Sequence, residues 1–209
     1  LVIYWNKNKI CNGFYTELFE FNSEFFDIME KENNNTRSPY RKMSNTSIQI
    51  IREYLGNDHK IDFQELNRIR CKITYPKPWI QKIINDFTEK YDINERIGLH
   101  IRRTDFIDKY GILKLKDFEK IIESSLLQRF FLATDDKKTY DYLISKYENV
   151  IGFSSSDFIE DDVRQTPLHR ALIDLELLAR CKKIIKTEHS SFSKLAEKKQ
   201  LTCNTLSTI

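Results

Sequence analysis

From residue 96 onward the chain switches repeatedly between two hydrophobic periods. Short apolar runs at 96–102, 129–134, 149–153 and 183–187 read as strands. The segments 115–125, 136–147, 168–181 and 191–199 carry apolar residues three and four apart and read as helices. Strands separated by helices of this length pair in parallel through right-handed crossovers, which predicts a doubly wound α/β sheet. Ahead of this block, Pro76 and Pro78 interrupt the chain just before Trp79, Ile80, Ile83, Ile84 and Phe87, a helical stripe. The first third is less regular. A strand is expected at 1–5, then an aromatic-rich stretch from Phe14 to Phe26. A polar run from Lys31 to Ser47 contains Asn33-Asn34-Asn35 and is expected to be loop or partly disordered; regular structure is expected to resume near Ile48. The pattern suggests two regions, 1–92 and 93–209. The opening run Leu1–Trp5 reads as a strand without a methionine or leader ahead of it, so upstream sequence is expected to be missing.

Composition narrows the classes. The 209 residues include 40% apolar and 12% aromatic side chains, enough for one substantial core or two small ones. Lys and Arg number 34 against 31 Asp and Glu, so any basic site is local, and no basic stripe interleaved with aromatics marks a nucleic-acid surface. Five glycines and no G-x-x-x-x-G-K-[ST] loop disfavour a nucleotide triphosphatase. The four cysteines contain no C-x-x-C pair, which disfavours zinc and gives no disulfide framework. No apolar run is long enough for a transmembrane segment and no secretory signal is visible, so a reducing, cytoplasmic location is the simpler expectation.

Ligands of open parallel sheets bind at the carboxyl ends of the strands. Three of the four strands end in polar groups: His100-Ile-Arg102-Arg103-Thr-Asp105, Thr134-Asp135-Asp136, and Thr187-Glu-His189-Ser190-Ser191. Strand alternation puts His100 and Arg102 on one face. Paired guanidiniums at a strand end suit a pyrophosphate; the same residues could equally form ion pairs with Asp105 or with Asp135 and Asp136. Asp174 falls at the edge of the apolar stripe of helix 168–181. Its carboxylate could accept two adjacent N–H donors, such as those of guanine, or pair with Arg170 four residues earlier. Ser190 and Ser191 suit helix N-capping, alone or together with a phosphate, and Asp135 and Asp136 suit capping of the next helix.

Three ordered segments, Ile97-Gly-Leu-His-Ile-Arg-Arg-Thr-Asp105, Phe131-Leu-Ala-Thr-Asp-Asp136, and Ala171-Leu-Ile-Asp174 followed by Ser190-Ser191, closely resemble motifs of the core alpha-1,6-fucosyltransferases and bacterial nodulation fucosyltransferases. The H-x-R-R core and Ser190-Ser-Phe-Ser193 also resemble alpha-1,2-fucosyltransferases. The likeness covers about residues 95–197. It implies a GT-B-like enzyme whose C-terminal Rossmann-type domain (93–209) holds GDP-fucose and passes L-fucose with inversion to a glycan acceptor, without a metal or other cofactor. Residues 1–92 would then be part of the acceptor-side region. By position, Arg102 and Arg103 would hold the pyrophosphate, with Arg103 also stabilising charge on departing GDP. His100 and Asp174 would face guanine, and Ser190 or Ser191 would support a phosphate, with Asp105 also on the donor side and Asp135 and Asp136 supporting. Phe106 and Tyr110 stand where the alpha-1,6 enzymes carry Lys and a catalytic Glu, so Asp108 is the candidate base. The departures keep two alternatives open: a sugar-nucleotide-binding pseudoenzyme, and a non-catalytic domain that recognises a phosphorylated or acidic partner.

Overall fold

Parallel pairing organises both halves of the chain. The computed structural model describes residues 2–7, 15–20, 27–32, 75–103, 115–125, 127–154, 156–159, 165–188 and 190–206. The chain divides into two compact units, Leu1–Tyr75 and Pro76–Ile209, whereas the boundary expected from sequence is at residue 92. In the first unit β1 (Val2–Lys7) runs parallel to β2 (Asp27–Glu32), in register from Val2 opposite Asp27 to Lys7 opposite Glu32. A single helical turn, α1 (Tyr15–Leu18), lies between them in sequence and buries Leu18. Strand β2 was not expected: Asp27-Ile-Met-Glu-Lys-Glu32 has no two-residue alternation, and pairing with β1 makes it a strand. The polar run from Lys31 contributes its first two residues to β2; residues 33–74 lie outside the described residues.

The second unit begins with α2 (Pro78–Tyr91). Proline in its first turn has the φ a helix needs and an N–H the helix can spare, and Ile80 and Ile84, four apart, are buried. The helix ends on Asp92, held left-handed at φ 50°, whose N–H bonds the Thr88 carbonyl. One tight turn, Ile93–Glu95, then feeds β3 (Ile97–Ile101). Next come α3 (Leu115–Glu123), β4 (Phe130–Thr134), α4 (Lys137–Lys146), β5 (Val150–Gly152), α5 (Leu168–Arg180), β6 (Lys183–Lys186) and α6 (Ser191–Leu206). Most ends fall within a residue or two of expectation. Helix α6 runs seven residues further than the stripe to 199; at that point Lys199 is buried against Glu176 and Gln200 Nε2–H bonds the Cys181 carbonyl. No helix among the described residues is long and apolar enough to cross a membrane.

All four strands are parallel, in the order β5-β4-β3-β6. One face packs Leu99, Ile101, Phe130 and Leu132 against Phe118 and Ile122 of α3 and Tyr140 and Leu143 of α4. The other face meets α2 and α5: Phe131 is edge-on to Phe87, and Gly98 lies beneath Leu178 and Cys181. Helices thus cover both faces, the doubly wound arrangement. Every residue of β4 is buried, as a central strand between two helical layers must be. Each large side chain so enclosed stabilises the fold by roughly 1.5–3 kcal/mol.

Two glycines are set by close approach. A Cβ on Gly98 would come 2.9 Å from Leu178 Cδ2, the movable end of a side chain. A Cβ on Gly152 would come 2.2 Å from Cε2 of Tyr140, a stiff ring packed edge-on against Phe158. Gly152→Ala is therefore expected to destabilise the protein by about 1–3 kcal/mol and Gly98→Ala by less. Denaturant midpoints check the ranking; an unchanged midpoint for Gly152→Ala contradicts the packing.

Candidate functional site

The polar strand ends meet at one edge of the sheet. His100 of β3 lies opposite Ala133 of β4 and Lys186 of β6. Arg102 and Arg103, Asp135 and Asp136, and Thr187 therefore all leave the sheet at one level. The chain steps from β3 to β4 to β5 in one direction and then crosses back to place β6 on the other side of β3, so a crevice opens at the carboxyl ends where the order reverses. A cleft open to solvent occupies this position. His100 and Arg102 line it from β3 and its end, and Thr134 and Asp135 from the end of β4. Thr166, Ala171 and Asp174 line it from α5 and the residues just before, and Phe192 from α6.

Thr187 fastens the two strands that flank the reversal. Its N–H and hydroxyl both donate to the His100 carbonyl, at 3.0 and 3.1 Å, and its Oγ1 accepts the Arg102 N–H at 3.1 Å. His100 is buried, stacked on Phe192 with ring centroids 4.9 Å apart, and its Nδ1 shares a hydrogen with Ser193 Oγ. Burial, reinforced by the positive charge of Arg102, pushes the imidazole down to about 3, so it stays neutral.

The two arginines diverge. Arg102 Nε is 4.0 Å from Asp135 Oδ2, and Arg103 Nε is 3.9 Å from Asp136 Oδ2. Both separations exceed hydrogen-bond length. Arg102 lines the cleft with His100, as alternation along β3 requires, whereas Arg103 does not. Asp135 Oδ1 accepts the Arg103 N–H at 2.7 Å, and Asp136 caps α4 by accepting the Thr139 N–H at 2.9 Å.

Asp174 is buried on α5, with Oδ2 accepting Arg170 Nε–H at 3.0 Å. Its Oδ1 has no hydrogen-bond partner among the described residues. Burial, against the pull of Arg170, raises its carboxyl to about 6. Ser190 Oγ is likewise buried without a partner among the described residues, so it does not cap α6. Ser191 is the exposed first residue of α6. Asp105 and Asp108, with Phe106 and Tyr110, lie outside the described residues. Thr166, Ala171 and Phe192 carry no pattern by which sequence could assign them to a site. Ser193 has one signal, its place in Ser190-Ser-Phe-Ser193. No cluster of three metal-ligating side chains occurs among the described residues.

No family model matches the chain, and no curated protein matches it. Among solved structures, its fold is similar to that of NodZ alpha-1,6-fucosyltransferase co-crystallized with GDP, at 17% identity and a TM-score of 0.51, covering 78% of this chain and 60% of that one. Fucosyltransferase NodZ from Bradyrhizobium aligns over the same shares at 18% identity and a TM-score of 0.52. NodZ soaked with GDP-fucose does so at 18% and 0.51. The chain spans 60% of the length of these structures. The likeness establishes a GT-B-like fold for the matched part.

The two shifted groups act on stability with opposite signs. His100, depressed on folding, contributes stability that is present above about pH 6.5 and lost as pH falls toward 3. Asp174, raised on folding, contributes stability present below about pH 3.8 and lost as pH rises through 6. Between about pH 4 and 6 the slopes oppose each other. The direct check is the His100 ring by NMR. Its Cε1–H resonance is expected to stay still from pH 8 to 4, and a midpoint near 6.5 would contradict this burial.

Proposed function

We propose that this chain carries the donor-binding half of an inverting glycosyltransferase that moves L-fucose from GDP-fucose to a glycan acceptor. The observation that carries the reading is the Asp174 Oδ1 atom: a buried carboxylate oxygen without a partner among the described residues, at a cleft on the strand-order reversal of a parallel sheet. Such an atom costs about 1–3 kcal/mol unless a ligand meets it. Guanine supplies the matching chemistry, with adjacent N–H donors on its Watson–Crick edge. Similarity to structures solved with GDP and with GDP-fucose supports the same donor.

The remaining groups fit a diphosphate. Arg102 and Arg103 leave the end of β3, and the Arg103–Asp136 ion pair is long enough for a phosphate oxygen to replace it at charge-assisted distance. Ser190 Oγ, buried without a partner among the described residues beside the start of α6, adds a hydroxyl where helix N-terminal N–H groups favour an anion. In transfer, charge grows on the β-phosphate as the anomeric bond breaks. Fixed guanidiniums therefore stabilise the transition state more than the ground state, and GDP leaves without a strong general acid. Asp108 is the proposed base. Residues 1–92 are proposed as part of the acceptor side, and the resemblance implies no metal in donor binding.

A second reading, sugar-nucleotide binding without transfer, is favoured by Phe106 and Tyr110 at the positions where the resembled enzymes carry Lys and Glu. Transfer of fucose from GDP-fucose to a glycan separates the two.

Calorimetric titration tests the donor site. GDP is expected to bind in the micromolar range, clearly tighter than ADP and unchanged by EDTA. Arg103→Ala should abolish binding, and Asp174→Ala should weaken GDP while sparing ADP. Acid supplies an independent check. Because GDP and ADP share the same diphosphate, its own protonation cancels in their affinity ratio. That ratio should fall as pH drops from 7.5 to 5, since Asp174 protonates with a midpoint of about 6 and a protonated carboxyl cannot accept both donors. In Asp174→Asn the ratio should be flat with pH. Equal affinity for GDP and ADP at neutral pH removes the guanine role from Asp174.

A further inference from the structure

We infer that Arg170 is the positioning residue for base recognition: it holds one oxygen of Asp174 so that the other is presented to the purine. The inference rests on the donor-site reading above and assigns its base specificity to a residue outside the cleft lining.

Arg170 has 0% exposure and is the largest fully buried side chain among the described residues. Three different contacts fix its guanidinium. Nε–H donates to Asp174 Oδ2 at 3.0 Å, and Nη1–H donates to the backbone carbonyl of Ser154, just after β5. Three aromatic rings surround it, with the guanidinium carbon 4.7 Å from the Phe158 centroid, 5.4 Å from Tyr140 and 5.7 Å from Phe153. Cation–π attraction from these faces offsets part of the cost of removing the charge from water.

Two features separate this arrangement from an ordinary helix ion pair. Surface pairs four residues apart are exposed and weak, and need no cage. A purely structural buried pair would satisfy both carboxylate oxygens, because an unmet oxygen removes much of the benefit of pairing. Here Oδ2 is met and Oδ1 has no partner among the described residues, with Asp174 on the cleft wall and Arg170 outside the lining. The fork matters. One nitrogen binds Asp174 while another binds the Ser154 carbonyl, a planar two-direction geometry that the point charge of a lysine cannot copy. Arg170 therefore sets both the rotamer and the charge of Asp174. An ionised carboxylate accepts from the guanine donors and rejects adenine, whose ring nitrogen at the equivalent place is an acceptor. Sites built on such hydrogen bonds discriminate far better than shape alone.

The test is titration of GDP and ADP into the wild-type chain, Arg170→Gln, Arg170→Lys and Asp174→Asn. Arg170→Gln should narrow the GDP:ADP affinity ratio by about tenfold with little change in ADP affinity. Arg170→Lys should fold but fail to recover the ratio. Adding Arg170→Gln to Asp174→Asn should change the ratio no further, because one residue acts through the other. A folded Arg170→Gln protein with the wild-type ratio overturns the inference and leaves the donor-site reading standing. A wild-type chain that binds both nucleotides equally overturns the donor-site reading and this inference with it. Should the variants not fold, the Arg170 Nε–H resonance of the wild-type chain decides. It is expected to move on saturation with GDP and stay in place with ADP; an equal response to both sinks the proposal.

Discussion

Strand β3 is the pivot of the second unit because its two neighbours are reached by crossovers that run in opposite directions. A connecting helix can cover only one side of the strand it leaves, so the edge above β3 stays open between the layers. Thr187 keeps that opening in one shape. Three hydrogen bonds through its N–H and hydroxyl lock the end of β6 to the end of β3. The backbone that carries His100 and Arg102 therefore cannot slide relative to the start of α6, and the stacking of His100 on Phe192 continues the lock into side chains. Gly98 extends it to the other wall: with no Cβ beneath Leu178, α5 sits close to the strand that carries His100. The cleft is thus a consequence of strand order, and its rigidity a consequence of one threonine and one glycine.

Polar groups in this unit fall into two kinds. Lys199 with Glu176 and Lys186 with Glu197 are close, satisfied pairs that fasten α6 to α5 and to β6. Arg170, Asp174 and Ser190 each keep one buried polar atom without a partner among the described residues. At roughly 1–3 kcal/mol each, such atoms are tolerated only where packing elsewhere is strong, as it is across the apolar face of β3 and β4. Of the three, Asp174 lines the cleft, while Arg170 and Ser190 lie outside its lining.

The alternation of strands and helices in the second half was legible because β4 and β5 lie between helical layers and read as apolar runs, while the helices carry clear stripes. Strand β2 was not legible, since Asp27–Glu32 owes its conformation to β1 and not to any alternation of its own. The polar strand ends were expected to converge at one edge of the sheet, and topology alone brings them together there. Their individual contacts were less visible. Serine before a helix reads as a cap, yet Ser190 Oγ makes no such bond, and nothing in the local sequence distinguishes a capping hydroxyl from one held apart. Asp174 and Arg170 are four apart, a spacing that suggests a surface pair. Their burial follows from Tyr140, Phe153 and Phe158, which arrive from elsewhere in the chain. Thr166, Ala171 and Phe192 meet the cleft through packing of α5 and α6, an arrangement that no residue spacing records.

The divergence of the two arginines follows from the pleat. Residues 98, 100 and 102 share one face of β3, so Arg102 joins His100 at the cleft while Arg103 turns toward Asp136. Side-by-side presentation of two guanidiniums is therefore not built into the strand itself. It needs the backbone after Arg102 to leave the extended conformation, and the Asp135 carboxylate already holds the Arg103 N–H at that position. Asp135 thus acts on both arginines, one through its charge and the other through its backbone, while Asp136 is committed to the start of α4. A diphosphate entering the cleft would compete with these two aspartates for the guanidiniums. The Arg103–Asp136 separation of 3.9 Å exceeds hydrogen-bond length, so a phosphate oxygen that reached hydrogen-bond distance would be the stronger partner there. In the unliganded chain the aspartates limit the repulsion between two neighbouring cations, and that is the condition under which both arginines can wait at one strand end.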